Sequence, residues 1–361
     1  MRNRWIKGLI VAGALMLVSA APVAAQQDLA ISHGEAWTHA HSGITVPATL
    51  GGNALTKAKA YAQDELDVGL SFEPDGAEDF ISLYIFRNTN GAAPVWFAQA
   101  QSAIELRDAF GAPMLVEPPH AIALPGQTVT SGLRAIYAPQ AGAPFTSTGV
   151  VLVPVGDWYA KFRVTSRRRT PAELGALIDK VVAQIQWPPQ AAPVAALPVV
   201  ACAAPLTFAK KSKDVRSDGL TDILGAALMS AATGDDTIKK EPASTAPVQW
   251  CRDRQLSANV ATYRPGESKD GYLLALGDNG NGLWVGLSAM NAVMAEIEGK
   301  KATPNYSVTL HTAAQDVNFI AQDRLPSPER AGEILKANRR ASTVTTWGKE
   351  RTVEINSSGI K

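Results

Sequence analysis

The chain has 361 residues, 46% of them hydrophobic, with 34 basic against 33 acidic side chains and two cysteines. That apolar fraction, with no glycine or proline period, excludes a disordered tail, a collagen-like repeat and a cysteine-stapled miniprotein. A net charge of +1 excludes a generically basic nucleic-acid binder, because it creates no field to gather phosphates.

Residues 1–25 read as a secretory leader. Arg2, Arg4 and Lys7 make a positive start, Gly8 to Ser19 an apolar stretch, and Val23-Ala24-Ala25 a small-residue cleavage site. A dozen apolar residues are too few to cross a hydrocarbon core that needs about twenty, so cleavage after Ala25 is expected to leave no transmembrane anchor. The expected location is an oxidising exported compartment, most simply the periplasm. Cys202 and Cys251 suit it, since two cysteines in an exported chain commonly pair. Closing that loop of about 50 residues stabilises by roughly 4 kcal/mol in the chain-entropy model.

Just after the leader stand His33, Glu35, His39 and His41, a donor set suited in type to Zn or Cu although its spacing matches no familiar site. Strands are then predicted over Gly43–Val46, Leu66–Phe72, Phe80–Arg87, Thr128–Tyr137, Gly149–Pro154 and Trp158–Thr165. The last two flank Val155-Gly156-Asp157 and should form a hairpin. One helix follows Pro94 to about Phe110, where Gly111 stops it. A second opens on Thr170-Pro171-Ala172-Glu173, a capping box with proline at its first position. Leu174, Leu177, Ile178, Val181 and Ile185 give it one apolar stripe that must be buried.

A proline-rich seam follows, from Pro188-Pro189 to Leu197-Pro198. It divides the mature chain into an N-terminal domain over 26–187, a linker over 188–201 and a C-terminal domain over 202–361. In the second half a helix is predicted from Leu220 to Ala232, and strands dominate from Gln255 onward. Gly271–Leu276 and Leu283–Leu287 should form a hairpin around Asp278-Asn279-Gly280-Asn281-Gly282, followed by a short helix over Ser288–Ile297 and a strand over Asn305–His311. Ser327-Pro328 opens a helix to about Arg340. Thr343–Trp347 and Arg351–Ile355 should close the fold as a hairpin around Gly348. There is no fixed-period repeat and no regular βαβ alternation. The expected class is α+β: two domains, each a mainly antiparallel sheet packed with a few helices.

Val46-Pro47-Ala48-Thr49-Leu50-Gly51-Gly52, Asp67–Phe72, Ser82–Arg87 and Gly156–Thr165 followed by an amphipathic helix resemble a group of uncharacterised exported proteobacterial proteins. More distantly, residues 43–188 resemble the PsbP-like fold. That resemblance implies a sheet flanked by helices and a non-enzymatic binding or assembly role, and it carries over no functional residue.

Motifs for catalysis are missing: there is no G-x-S-x-G elbow, no H-E-x-x-H and no phosphate-binding glycine loop. His120 and His311 are the histidines left to serve an envelope hydrolase with dispersed catalytic residues. The Asp278 turn lacks the third-position ligand and the position-twelve glutamate of a calcium loop, with Ala289 there instead. The densest positive cluster is Lys161, Arg163, Arg167, Arg168 and Arg169, which would suit an anionic surface or an acidic envelope protein. The functional expectation is an exported cell-envelope protein with a non-catalytic binding or assembly-support role and no cofactor. The alternatives are the envelope hydrolase and a histidine-cluster metal binder.

Overall fold

The computed structural model describes residues 26–32, 34–190, 193–208, 210–215, 246–288 and 304–355. The leader expected over 1–25, His33, the helix expected over 220–232 and nearly all of that expected over 288–297 lie outside them.

Two large sheets carry the fold. The first holds β1 (Gln27–Asp28), β2 (Lys57–Ala60), β3 (Asp67–Phe72), β4 (Asp79–Arg87), β5 (Met114–Ile122), β6 (Gly132–Ala138), β7 (Ser147–Val155) and β8 (Trp158–Ser166). Their order across the sheet is β1-β2-β3-β4-β8-β7-β6-β5, every neighbour antiparallel. As expected, β7 and β8 are a hairpin closed by Gly156-Asp157, where Gly156 takes φ 58°. The β5 strand was not among those expected, and it contains Pro118-Pro119, which cannot donate to a ladder. It survives by lying at the sheet's outer edge, with the prolines at a break in its register with β6. The strand expected from Thr128 begins only at Gly132; the residues before it turn, with Ser131 N–H on the Val129 carbonyl.

The second sheet holds β9 (Val200–Ala201), β10 (Trp250–Ser257), β11 (Val260–Pro265), β12 (Gly271–Leu276), β13 (Gly282–Leu287), β14 (Tyr306–His311), β15 (Gln315–Phe319), β16 (Arg340–Thr345) and β17 (Val353–Ile355). Here chain order is spatial order, and only β9 runs parallel to its neighbour. The closing hairpin starts earlier than expected, so Trp347 sits in its connecting turn rather than in a strand. Cys202 and Cys251 form the disulfide, tying the chain beyond β9 to β10.

Besides two small two-stranded sheets, Trp37–Thr38 with Thr45–Val46 and Thr49–Leu50 with Asn53–Ala54, the described residues include three α-helices. α2 (Pro171–Gln184) has the expected capping box, and its stripe shares one apolar cluster with Val68, Leu70, Phe162 and Val164 on one face of the first sheet. α1 (Ala93–Glu105) stops short of Phe110; Asp108–Phe110 is a separate 3-10 turn closed by Gly111 at φ 64°. α3 (Pro328–Ala337) ends at Asn338 in the left-handed region, which frees Arg340 to begin β16 rather than end the helix.

The layers run α2, first sheet, α1, second sheet, α3. α1 is buried nearly all round because it packs on both sheets at once: Trp96 and Phe97 share a core with Leu133 and Leu152 of one and Tyr263 and Leu273 of the other. The linker is part of this contact, with Ala196 buried and its N–H on the Thr130 carbonyl. The proline seam thus separates two sheets, while the central core belongs to both.

Candidate functional site

Strand β8 alternates by the two-residue period of a strand. Ala160, Phe162 and Val164 join the core beneath α2, so Tyr159, Lys161, Arg163 and Thr165 point to the opposite face. α1 covers only part of that face, the part formed by β6 and β7. The rest receives the turn between β12 and β13.

That turn is the hairpin expected around Asp278, and its polar residues are docking groups. Lys161 Nζ lies 2.8 Å from Asp278 Oδ2 and donates to the Asp278 carbonyl at 2.8 Å, while Arg163 Nη2 pairs with the same carboxylate. Asn279 Nδ2 donates to Asp67 Oδ2 at 2.8 Å, and Thr89 Oγ1 to the Gly280 carbonyl at 2.7 Å. A Cβ on Gly280 would sit 3.0 Å from the Arg87 carbonyl, which with φ 88° reserves the position for glycine. Lys161 is wholly buried, its ammonium 4.8 Å from the centre of the Tyr84 ring. Burial pulls the Lys161 pKa down against the pull of Asp278. Burial also pushes Asp278 up, but Lys161 and Arg163 together outweigh it and hold the carboxylate well below its ordinary value. Asp67 lacks such compensation, and burial raises it to about 6 against the Asn279 hydrogen bond.

Beside this seam, between the end of α1 and the sheet, a groove encloses about 260 Å³. One wall is a run of rings: Phe145 meets Phe80 at 5.8 Å and Phe110 at 5.6 Å, each edge to face. Guanidinium groups clad it, Arg107 at 5.3 Å over Phe110 and Arg167 at 5.0 Å over Phe80. Neither has a carboxylate partner among the described residues. Arg163 also lines the groove; it spends Nη2 on Asp278, and its buried Nε has no partner. Hydroxyls fill the floor, with Thr148 and Thr165 paired at 2.9 Å and Ser82 donating to Glu73 at 3.2 Å.

The basic cluster read from the sequence therefore has three fates. Lys161 is an internal ion-pair partner. Arg168 pairs with Glu78 and Arg169 Nε with Asp79 at 2.9 Å, so these two are neutralised by the strand opposite. Arg163 lines the groove, and Arg167 lies over Phe80 and Phe145, two of the rings in its wall. Arg107 joins them from the turn after α1 and was not singled out in the sequence, where a lone arginine after a helix carries no signal.

The histidine segment is built into the protein differently. His39 is buried, its Nε2 donating to the Glu65 carbonyl at 2.9 Å and its Nδ1 2.8 Å from Ser42 Oγ. Burial lowers its pKa, and both ring nitrogens are occupied. His41 Nε2 donates to the Asp64 carbonyl at 3.0 Å; its ring lies parallel to Trp158 at 6.0 Å and is met edge-on by Trp347. Asp64 and Glu65 are successive non-glycine residues at φ 52° and 55°, and the two imidazoles hold their carbonyls. Glu35 is exposed. Among the described residues no three His, Cys, Asp or Glu side chains gather as a metal site.

His120 lies on edge strand β5, with Nδ1 3.1 Å from the Pro118 carbonyl. His311 Nδ1 is 2.7 Å from Asp316 Oδ1 across β14 and β15. Among the described residues, neither ring is hydrogen-bonded to a serine. No family model, no curated protein and no solved structure matches the chain.

Proposed function

We propose that this is an exported cell-envelope protein with a non-catalytic binding or assembly-support role, and that the groove beside Arg163 is where it binds. The leader over residues 1–25 supports export to the periplasm, and the Cys202–Cys251 disulfide suits that compartment. In this reading 26–187 is a PsbP-like domain and 202–361 a second domain, docked so that Asp278 holds Arg163, which lines the groove. The observation that carries the reading is the groove's wall: aromatic rings overlaid by Arg107 and Arg167, neither with a carboxylate partner among the described residues.

The test is a photocrosslinking residue in place of Glu73, on the groove wall, compared with the same residue at exposed Lys269. After irradiation in cells, intact mass measurement should show a discrete adduct, small or large, on the Glu73 variant alone. Identical spectra from both variants would remove the groove as the site.

The hydrolase reading has one observation in its favour, the His311–Asp316 pair, which would orient an imidazole as a general base. Turnover of a generic ester or glycoside that disappears in His311→Ala would put that reading first.

A further inference from the structure

We propose that the groove takes a small organic monoanion: a carboxylate carried on a flat, apolar or aromatic body. The inference rests on the binding role proposed above and names the chemistry of its ligand.

The charge comes first. Arg107 and Arg167 have no carboxylate partner among the described residues, and Arg163 shares Asp278 with Lys161. Against these cations the groove's own wall offers one carboxylate, Glu73. The excess is one or two positive charges, enough to favour a single carboxylate and too small to draw a polyanion.

The donors come second. Arg163 Nη2 is committed to Asp278, which leaves the other edge of a planar guanidinium. A planar carboxylate matches such a fork with two parallel hydrogen bonds, each stronger than a neutral one. The Thr148 and Thr165 hydroxyls add rotatable donors on the floor.

The body of the ligand follows from the wall. Phe80, Phe145 and Phe110 present ring faces and edges, and the Arg107 and Arg167 guanidinium carbons stand 5.3 and 5.0 Å from the Phe110 and Phe80 ring centres. A guanidinium so held can stack a second planar group on its free face. At about 260 Å³ the space is below the ~300–1,000 Å³ of drug-sized sites, which sets a metabolite-sized occupant.

Phenylacetate is the probe, with phenylacetamide as its neutral isostere, acetate and phosphate as anions without a ring, and anionic phospholipid vesicles as an extended surface. Calorimetric titration of the mature protein should give saturable binding of phenylacetate, with phenylacetamide about tenfold weaker or more, the size of a lost charge-assisted hydrogen bond. Arg107→Ala should weaken phenylacetate by about tenfold and Phe145→Ala by several-fold, while Arg168→Ala leaves it unchanged. Arg107 is exposed and has no ion pair among the described residues, so its removal should leave the fold intact; Arg163→Gln would also deprive Asp278 of a partner. Equal affinity for the amide would overturn the anion, and equal affinity for acetate or phosphate would overturn the ring. Arg107-dependent sedimentation with vesicles, without binding of phenylacetate, would overturn the small ligand in favour of a membrane surface. If no probe binds but the Glu73 crosslink still forms, this inference falls and the binding role stands; if both fail, both fall.

Discussion

The two faces of the first sheet are made by the same strands and are held by different physics. Under α2, Phe162, Val164 and Leu70 are closed over by Leu174 and Ile178 in an apolar core. On the other face Lys161 and Arg163, one residue away from Phe162, meet Asp278 arriving from the second sheet, and Asp67 accepts from Asn279. The apolar face gains from every methylene it hides, wherever the contact falls. The charged face gains only if each buried charge finds its partner in place, since an orphaned one costs several kcal/mol. One face therefore makes the sheet stable, and the other decides where the second sheet docks and leaves the groove beside it.

The largest effects should come from neighbouring residues on opposite faces. Phe162→Ala should cost about 3–5 kcal/mol by opening a cavity, and Lys161→Ala about 3 kcal/mol by leaving the buried Asp278 carboxylate to Arg163 alone. The two losses are distinguished by adding Asp278→Asn. In a double-mutant cycle followed by urea unfolding, Lys161 and Asp278 should couple by at least about 1 kcal/mol, and Phe162 and Asp278 by close to zero. Additivity at the Lys161 pair would break the contrast between the faces.

The pH dependence of stability sharpens it further. Asp67 has its carboxyl raised by burial from 3.8 to about 6. The folded chain therefore holds the Asp67 proton more tightly than the unfolded chain. The stabilisation is complete below about pH 4 and is lost as pH rises through about 6, by up to roughly 3 kcal/mol at 1.4 kcal/mol per pKa unit. His39 acts with the opposite sign: burial lowers its pKa, so its share is present at high pH and is lost as pH falls below its ordinary value of 6.5. Asp67→Asn removes one and keeps the other. The variant should gain stability over the parent as pH rises from 4 to 7, while the amide oxygen introduced at position 67 still accepts from Asn279. Parallel stability curves would show that Asp67 does not carry the proton.

How far the sequence speaks follows the same division. Thr170 to Ile185 and the Gly156-Asp157 hairpin were legible because their determinants are local: a cap, a proline, a stripe, a turn residue. β8 was legible as a strand from its alternation, but nothing in Lys161-Phe162-Arg163 says whether its charged face meets water or a partner 117 residues away. The basic cluster was thus visible as a cluster, and its sorting into an internal ion-pair partner, two neutralised residues, one groove residue and one guanidinium over the groove's rings was not. α1 shows the same limit. It is buried on both sides, so Gln99, Gln101 and Ser102 are interior and bonded to residues such as Tyr137, Tyr263 and Gln255, an arrangement that reads as a polar surface from sequence. β5 was missed because its prolines are tolerated only at an edge, and edges belong to topology.

The smallest predicted effect concerns the cover of the apolar face. Thr170 Oγ1 accepts from the Glu173 N–H at 3.3 Å, and Glu173 Oε2 accepts from the Thr170 N–H at 2.8 Å, so both halves of the capping box are present at an exposed helix start. α1 has no side-chain cap at Ala92 and is held by burial on two sheets. α2 packs on one sheet only, so its end depends more on the cap. Thr170→Ala should cost about 1 kcal/mol and lower the melting temperature by about 2–4 °C. The change attributable to Asp67 between pH 4 and 7 should stay the same, because the cap and the charged seam lie on opposite sides of the sheet and share no partner. A pH slope altered by Thr170→Ala would mean that the two faces are coupled through the sheet and that its two sets of contacts do not act independently.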